Sequence, residues 1–385
     1  MGTIRIAIVA GEASGDLLGS HLVVALRARL PQAEFIGIAG PKMIAAGVRS
    51  LFPMEKLSVI GFHEVIRNLF SLLAMRRKLK RKLLAFRPHV YIGVDAPDFN
   101  FGVERALRKR VIPTVHFASP SIWAWRGGRI HQIKRAVDHM LVLFPFEKTI
   151  YDQAGIAATY VGHPMADTIP LEDMGNAVRE QLKLSQTAKI VALLPGSRRS
   201  ELHMHADLFV QTAQRLQELI PEVQFLAPLP TKETRQLFEE ALYRNQAQEL
   251  PLTILFGHAQ EAMAAADCVL VKSGTATLEA ALLKRPMVIT YRIPKSTYFL
   301  VKRRFYLPYF GMPNVLAGRF IVPELMQDQA TPENLAQALK TWLEDKAARE
   351  SLHDEFQRMH IELRQNTAQR ASDAVLGLLQ ARGAC

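Results

Sequence analysis

Two carboxylates lie where an apolar stretch ends, and one of them could act as a general base. Asp95 follows the stretch Val90–Val94 directly, and Asp98 comes three residues later. If this stretch is a parallel strand, Asp95 leaves its carboxyl end, where α/β proteins bind their substrates. Asp98 is better placed to cap the next helix, and a simple turn role stays open for Asp95. We predict that Asp95 is the base and keep His116, at the end of a neighbouring strand, as the alternative.

A glycine-rich turn follows the first apolar stretch of the chain. Gly11, Gly15 and Gly19 are spaced four residues apart, which differs from the G-x-G-x-x-G pattern of dinucleotide-binding turns. Glu12 puts a negative charge where a pyrophosphate would lie, and a carboxylate there suits sugar hydroxyls better. We expect Glu12 to contact a sugar. The alternative is an ordinary strand-to-helix turn in which Ser14 or Asp16 caps the helix.

Two turns in the second half of the chain have the composition of phosphate-binding loops. Each follows a short apolar stretch and opens a helical pattern, so that its backbone N–H groups and the helix dipole can hold an anion. Arg198 adds a permanent positive charge, and Glu279 could accept hydrogen bonds from a ribose. Two such turns predict a nucleoside diphosphate site. The candidate residues are Gly196, Ser197, Arg198, Ser273, Gly274, Thr275 and Glu279, with Asn314 on a later turn-rich loop.

One further loop is rich in aromatic residues. Trp123 and Trp125 could form a platform for a sugar or an acyl group, with Arg126 near a phosphate. The two rings could equally close the edge of a core. His163 lies at the end of the first half of the chain, and we interpret it as shaping a hinge.

The elements that must position these residues alternate regularly between strand-like and helix-like stretches. Short apolar stretches followed by helical patterns predict parallel sheets covered on both faces. The pattern pauses near residue 170 and restarts, so we predict two α/β domains with a ligand-binding cleft between them. The predicted boundaries are 1–168, 169–345 and, for a C-terminal helical segment, 346–385. The strand-like stretches are Ile4–Ala10, Glu34–Ile38, Val90–Val94, Thr114–Ala118, Met140–Leu143, Ile190–Leu194, Val223–Leu226, Leu252–Phe256, Cys268–Val271 and Met287–Tyr291.

The positive charge of the protein is local. The formal net charge is +12, yet segments 65–94 and 280–323 contain no acid and eight basic residues each, so the remainder carries −4. A general affinity for nucleic acid is therefore not expected, and the basic segments contain leucine rather than stacking residues. The balance of 49% hydrophobic and 22% charged residues excludes a disordered chain.

The first basic segment adjoins an amphipathic pattern. Apolar residues recur at helical spacing and a polybasic stretch follows, which is typical of helices that lie in the surface of an anionic membrane. A buried core helix with a solvated basic end is the alternative. We expect no secretion signal, and no uninterrupted apolar stretch of about 18 residues is found in the sequence. The predicted membrane residues are Phe62, Val65, Ile66, Leu69, Phe70, Leu72, Leu73, Arg76 and Arg77.

Eight motifs in order carry a resemblance to a known family. They are GEASGD, GVDAPDFN, SPSIWAWR, GHPMAD, LLPGSR, SGTATLE, KRPMVITYR and MPNVLAG, and they span nearly the whole chain. The chain thereby resembles the bacterial lipid-A-disaccharide synthase family. The resemblance implies a glycosyltransferase of the B-type fold, with two Rossmann-like domains. It also implies C-terminal helices that pack back on the N-terminal domain of the same chain or of a partner, so that a homodimer is possible.

The resemblance implies a reaction as well. UDP-2,3-diacylglucosamine and 2,3-diacylglucosamine 1-phosphate (lipid X) would give the β-1,6-linked lipid A disaccharide 1-phosphate and UDP, with inversion at the anomeric carbon. It implies peripheral attachment to the cytoplasmic face of the inner membrane, and we expect neither a cofactor nor a metal. The family's functional positions match Glu12, Ser14, Asp95, Arg198, Glu279 and Asn314. In the implied reaction Glu12 and Ser14 would orient the acceptor sugar.

Two other classes of function stay open. Another UDP-sugar enzyme of the same fold, such as an epimerase or a different lipid-linked glycosyltransferase, would also need the two phosphate-binding turns. An epimerase would have no reason for the apolar helix. A basic nucleic-acid-binding protein would show salt-sensitive binding to DNA or RNA, which the local distribution of charge disfavours.

Overall fold

The computed structural model describes residues 3–57, 62–294 and 305–384, with the backbone alone for residues 62–69. The chain divides into two compact units, Met1–Asp167 with Leu363–Cys385 and Thr168–Glu362. We expected a C-terminal segment to separate at residue 346, but the chain stays with the second unit up to Glu362. A buried contact of 2.8 Å between Lys284 Nζ and His360 Nδ1 helps to hold this part of the chain there.

The first unit is built on a parallel sheet of seven described strands. Their order is β3-β2-β1-β4-β5-β6-β7. The central strands are buried along nearly their whole length, which explains their continuous apolar sequences. The strands are β1 (Arg5–Ala10), β2 (Glu34–Ala39), β3 (Arg49–Pro53), β4 (Val90–Val94), β5 (Thr114–Phe117), β6 (His139–Val142) and β7 (Ala157–Tyr160).

Helices connect most of these consecutive strands, as in a doubly wound α/β fold. Single turns of 3-10 helix occur at Met54–Lys56 and Gly127–Arg129. The α-helices are α1 (Ala13–Arg29), α2 (Pro41–Ala45), α3 (Phe62–Phe86), α4 (Pro97–Arg108), α5 (Ile130–Ala136), α6 (Pro145–Gln153) and α7 (Pro164–Thr168).

The second unit repeats this plan with six described parallel strands in the order β10-β9-β8-β11-β12-β13. The strands are β8 (Ile190–Leu194), β9 (Gln224–Leu229), β10 (Leu252–Phe256), β11 (Cys268–Lys272), β12 (Met287–Tyr291) and β13 (Glu324–Met326). The helices are α8 (Gly175–Gln181), α9 (Arg199–Leu219), α10 (Lys232–Arg244), α11 (Ala259–Ala265), α12 (Thr275–Leu282), α13 (Met312–Ala317), α14 (Pro332–Glu344) and α15 (Lys346–Leu363), with a 3-10 turn at Gln327–Gln329.

The last helix, α16 (Thr367–Ala381), returns to the first unit. Its residues Ala371, Val375 and Leu379 are fully buried in the core that the first sheet also forms. Two backbone N–H groups at its start, those of Asn366 and Thr367, donate to the Asp167 carboxylate at 2.9 and 2.7 Å. The predicted packing of C-terminal helices on the N-terminal domain is therefore made within one chain and by this helix.

Both sheets reverse their strand order at one point. The reversal lies between β1 and β4 in the first sheet and between β8 and β11 in the second. At such a topological switch point the connections leave in opposite directions, and a crevice opens at the carboxyl ends of the strands. Both predicted sites follow strands that meet at these points.

Helix α3 has one buried and one exposed apolar face. Met75, Leu79 and Leu83 are buried, whereas Phe70 is 84% exposed and Leu73 is 41% exposed. Large apolar side chains at this exposure mark a contact surface when they occur together. In the described ranges, no helix combines the length and the hydropathy that crossing a membrane requires.

The other predicted membrane residues divide into two groups. The side chains of Phe62, Val65, Ile66 and Leu69 lie outside the described residues. Leu72 is half-buried and Arg77 is exposed, but Arg76 also contacts α4, where its Nη1 lies 3.5 Å from the Asp98 carbonyl oxygen. Arg76 therefore contributes to packing as well as to surface charge.

Candidate active site

The turn after β4 has an unusual backbone. Ala10 and Val94 are partners in the sheet, so Gly11 and Asp95 leave it side by side. Asp95 and Ala96 both have a positive φ, 52° and 44°. Residues other than glycine adopt this conformation uncommonly, and strained positions of this kind cluster at functional sites. Gly11 is required here, because a Cβ at this position would lie 2.5 Å from Ala96 Cβ.

Buried hydrogen bonds hold this strained turn in place. The Asn100 Nδ2 donates to the Asp95 carbonyl oxygen at 2.7 Å, and the Tyr91 hydroxyl donates to Asn100 Oδ1 at 2.8 Å. The Asp95 N–H donates to the Phe117 carbonyl oxygen at 2.9 Å. Asn100 and Tyr91 are fully buried, and sequence reasoning did not single them out. The only signal was an asparagine between two phenylalanines in a helical stretch.

The Asp95 side chain is partly exposed and makes no hydrogen bond or ion pair within the described residues. The first turn of α1 lies against it, since a Cβ at Gly15 would be 3.6 Å from Asp95 Cβ. Glu12 is the N-cap residue of α1, and both Glu12 and Ser14 are exposed. The structure thus brings the three predicted polar residues of the first unit to one end of its sheet.

One expectation about a nearby polar residue is wrong, and one alternative is removed. Neither Asp16 nor Ser14 caps α1, as the alternative for this turn required. Asp16 is buried and accepts hydrogen bonds from the N–H groups of Gly40, Lys42 and Met43, so it caps α2 instead. Asp98 does not cap α4, whose N-cap is Ala96, but pairs with Arg129.

His116 does not reach the surface. Its side chain is fully buried, and Nδ1 lies 2.7 Å from Glu104 Oε1. The outer atoms, His116 Nε2 and Glu104 Oε2, have no hydrogen-bond partner in the described part of the chain. Burial raises the pKa of Glu104, against a lowering by His116. A ring enclosed in this way cannot meet a substrate hydroxyl, which removes His116 as the alternative to Asp95.

The aromatic loop is anchored by a buried carboxylate that the sequence did not reveal. Trp123 Nε1 donates to Glu147 Oε1 at 3.1 Å, and the N–H groups of Leu143 and Phe144 donate to Glu147 Oε2 at 3.2 and 3.1 Å. Trp123 packs edge-on against Phe146 with ring centres 5.3 Å apart. These contacts favour the core-edge interpretation for Trp123 over a ligand platform.

We expect Glu147 to make stability depend on pH. Burial raises its pKa from 4.5 to about 7, although its hydrogen bonds act in the opposite direction. At a pH between these two pKa values, Glu147 is protonated in the folded chain but ionised in the unfolded chain. The free energy of unfolding should therefore fall as pH rises through this range, by roughly 3 kcal/mol in total. Urea unfolding of the wild type and of Glu147→Gln from pH 4.5 to 8 measures this. The amide does not titrate, so an equal pH dependence in both proteins would contradict the prediction.

The second switch point opens into a pocket of about 480 Å³. Its wall includes Gly196, Ser197 and Arg198 after β8, and Gly274, Thr275 and Glu279 at the start of α12. Burial raises the pKa of Glu279, and the nearby Glu261 adds to this. The N–H groups of residues 274–276 donate to no residue within the described ranges. The start of α12 can therefore accept an anion from the pocket.

The loop after β8 differs from our expectation. Its N–H groups at Ser197 and Arg198 already donate to Glu201 Oε2, at 2.9 and 3.4 Å. Glu201 Oε1 accepts a hydrogen bond from Lys272 Nζ at 3.0 Å. The predicted phosphate-binding loop is thus occupied by a carboxylate of the same chain. Our sequence analysis predicted neither this contact of Glu201 nor a role for Lys272.

Two predicted binding residues lie away from the pocket wall. Ser273 Oγ donates to the Phe310 carbonyl oxygen at 3.3 Å. Asn314 is fully buried, and its Nδ2 donates to the Val322 carbonyl oxygen and to Glu324 Oε1 at 2.9 and 2.8 Å. Its Oδ1 accepts from the N–H groups of Ile321 and Val322. The structure therefore uses Asn314 to fix the loop that follows α13.

Several basic side chains of the second basic segment, residues 280–323, make contacts within the protein. Lys284 Nζ donates to the Pro170 carbonyl oxygen, and Arg285 pairs with Asp173. Arg319 forms an ion pair of 3.2 Å with Glu355. Residues 295–304, which hold four of the eight basic side chains, lie outside the described residues. Within residues 3–57, 62–294 and 305–384, no group of three His, Cys, Asp or Glu side chains is arranged to hold a metal ion.

Solved structures resemble the whole chain at low sequence identity. A putative UDP-N-acetylglucosamine 2-epimerase from Listeria monocytogenes superposes with a TM-score of 0.65 at 13% identity, covering 100% of this chain and 97% of that one. The calicheamicin glycosyltransferase CalG4 gives 0.63 at 15% identity, covering 99% and 100%. This similarity confirms the predicted class, two Rossmann-like α/β domains of the B-type glycosyltransferase fold.

Comparison with known sequences is more specific. The family model described as Lipid-A-disaccharide synthetase matches residues 6–377. A lipid-A-disaccharide synthase from Methylobacillus flagellatus is 57% identical over 97% of this chain and 99% of that protein. One from Dechloromonas aromatica is 55% identical over 98% and 99%. With this coverage and identity, the chain belongs to the lipid-A-disaccharide synthase family and is a glycosyltransferase of lipid A biosynthesis.

Proposed function

We propose that the protein transfers the diacylglucosamine group of UDP-2,3-diacylglucosamine to the 6-hydroxyl of 2,3-diacylglucosamine 1-phosphate. The products are the β-1,6-linked disaccharide 1-phosphate and UDP. The observation that carries this proposal is the Asp95 turn. It holds a partly exposed carboxylate, which has no partner in the described part of the chain, at the switch point of the first sheet and beside Glu12 and Ser14.

Asp95 acts as the general base in this mechanism. Its carboxylate takes the proton from the acceptor 6-hydroxyl as that oxygen attacks the anomeric carbon from the face opposite UDP. The new glycosidic bond forms while the bond to the UDP oxygen breaks, so the configuration at the anomeric carbon inverts. Glu12 and Ser14 orient the acceptor sugar by hydrogen bonds to its hydroxyl groups.

The leaving group gains negative charge as its bond breaks. The Arg198 guanidinium, whose side chain is 58% exposed, and the N–H groups at the start of α12 can neutralise this charge. Glu279, on the wall of the same pocket, suits the ribose hydroxyls of the nucleotide. Gly196, Ser197, Gly274 and Thr275 complete the proposed UDP-binding wall.

The direct test supplies both diacylglucosamine substrates in detergent and measures disaccharide 1-phosphate and UDP by mass spectrometry. Equal amounts of both products are expected, with a β-anomeric linkage. If UDP appears only as free nucleotide from hydrolysis, or if the UDP-sugar is returned as its 2-epimer, the transfer proposal is wrong. The second result would favour the epimerase alternative.

We also propose that the protein lies on the cytoplasmic face of the inner membrane through α3. The exposed Phe70 and Leu73 would enter the lipid, and the basic residues that follow would face anionic headgroups. This surface fits a substrate whose acyl chains stay in the bilayer. The homodimer that the resemblance allows stays a prediction, and sedimentation at twice 43.2 kDa would support it.

Replacing both exposed side chains should release the protein from membranes. We expect Phe70→Ser with Leu73→Ser to lower the fraction bound to vesicles containing phosphatidylglycerol at least fivefold, because this removes roughly 200 Å² of apolar contact. Leu79→Ser is the matched control, since Leu79 is buried on the opposite face and should lower the unfolding temperature instead. Unchanged vesicle binding of the double variant, with normal folding, would rule out this surface.

A further inference from the structure

Glu201 occupies an anion position in the pocket of the second unit. Its carboxylate lies in the first turn of α9 and accepts the Ser197 N–H at 2.9 Å. The Arg198 guanidinium is 3.7 Å away. Burial raises the pKa of Glu201, but this effect is outweighed by the hydrogen bonds from Ser197 and Lys272 and by the positive charges of Lys272 and Arg198. The pKa of Glu201 therefore lies below its usual value. The position therefore stabilises a negative charge.

Lys272 lies between this position and the start of α12. As the last residue of β11, it places Nζ 3.0 Å from Glu201 Oε1. The same Nζ is 3.5 Å from where a Cβ on Gly274 would lie. Its side chain is 15% exposed and lies over the Tyr291 ring, 5.1 Å from the ring centre. One ammonium group thus reaches both helix starts that line the pocket.

We propose that Lys272 binds the diphosphate of the nucleotide, and that Glu201 holds the place of one phosphate group until the nucleotide displaces it. This inference rests on the proposed binding of a UDP-sugar in this pocket. It adds a binding residue that the sequence motifs did not indicate, and it gives Glu201 the role of an internal competitor.

The pocket has two positions for an anion, and together they explain why Lys272 pairs with Glu201. A diphosphate carries two anionic groups, and the pocket offers one position at the start of α12 and one at the loop after β8. The first has N–H groups without a partner in the described ranges, whereas Glu201 fills the second. A phosphate and a carboxylate cannot share the second position, because their like charges repel. Lys272 Nζ can release the Glu201 carboxylate and bind a phosphate group without a large movement.

The test measures UDP binding to the full chain by calorimetry. Glu201→Gln keeps the side-chain volume and an oxygen for the Ser197 N–H but removes the competing charge, so UDP affinity should rise about tenfold. Lys272→Met removes one charge-assisted contact and should lower UDP affinity about tenfold or more. Lys272→Arg, which keeps the charge, should recover most of this loss.

A purely structural pair predicts other results. If Glu201 only caps α9 and Lys272 only neutralises it, Glu201→Gln would leave UDP affinity unchanged or lower it, and Lys272→Met would leave it unchanged. Either result overturns the inference. In the double variant the effect of Lys272→Met should persist, because that contact is made to the nucleotide and not to Glu201.

The exposed pair Lys189 and Glu222, 2.9 Å apart and outside the pocket, provides the matched control. Lys189→Met and Glu222→Gln should not change UDP affinity. If they change it as much as the Lys272 and Glu201 variants do, the effect comes from net charge alone and the inference is overturned. UDP binding by the wild-type chain distinguishes a failure of the proposed function from a failure of this inference. Absence of UDP binding would overturn the proposed function together with this inference, whereas normal UDP binding with unaffected variants would overturn the inference alone.

Discussion

Asp95→Asn is expected to lower turnover about 100-fold or more while leaving UDP affinity unchanged, because an amide cannot take a proton from the acceptor hydroxyl. The substitution is well matched to its position. Asparagine adopts left-handed backbone conformations more readily than most residues, so the turn with φ of 52° should stay intact. Initial rates at saturating concentrations of both substrates measure the effect.

Asp98→Asn is the control for this experiment. Asp98 is exposed and pairs with Arg129, so losing its charge should leave turnover within about twofold of the wild type. If Asp95→Asn also stays within this range, Asp95 is not the base. If it loses turnover and UDP affinity together, Asp95 acts in binding the donor and the assigned role is wrong.

Glu104→Ala is expected to destabilise the first unit by about 3 kcal/mol or more. The substitution leaves the fully buried His116 without its 2.7 Å partner and opens a void beside β4 and β5. The Glu104 side chain is tightly packed against β4, since a Cβ at Gly93 would come 2.2 Å from Glu104 Oε1. Urea unfolding monitored by circular dichroism gives the free energy of unfolding.

Glu104→Gln separates the hydrogen bond from the charge. It preserves the side-chain volume and an acceptor for His116 Nδ1–H, so it should cost only about 1 kcal/mol. A loss below about 1 kcal/mol for the alanine variant would contradict the view that the two buried groups depend on each other. Equal losses for both variants would show that the charge, and not the contact, matters.

The sequence predicted the sheet positions that carry chemistry better than the contacts made there. Central strands such as β1 and β4 are buried on both faces, so each appears as a continuous apolar stretch. The edge strands β3, β7 and β13 are only partly buried and lack such a stretch, which is why they were not predicted. Placing Asp95 at the end of β4 required only the first kind of signal.

The missed contacts depend on distant parts of the chain. Lys272 meets Glu201 across 71 residues, and Trp123 meets Glu147 across 24, so no local pattern could reveal either pair. The internal contacts of Asn314 were not predicted for a related reason. Its residue type indicates hydrogen bonding, but only the structure shows that the backbone of its own loop uses both ends of the amide.

The return of α16 to the first unit has a consequence for how the protein folds during synthesis. The ribosome makes β1 to β7 first, yet the core they share with Ala371, Val375 and Leu379 cannot close until the last helix has emerged. The second unit, contiguous from Thr168 to Glu362, contains all of its own strands and can fold earlier. The half that is translated first is therefore completed last, and chains released before α16 would expose the apolar surface that this helix covers.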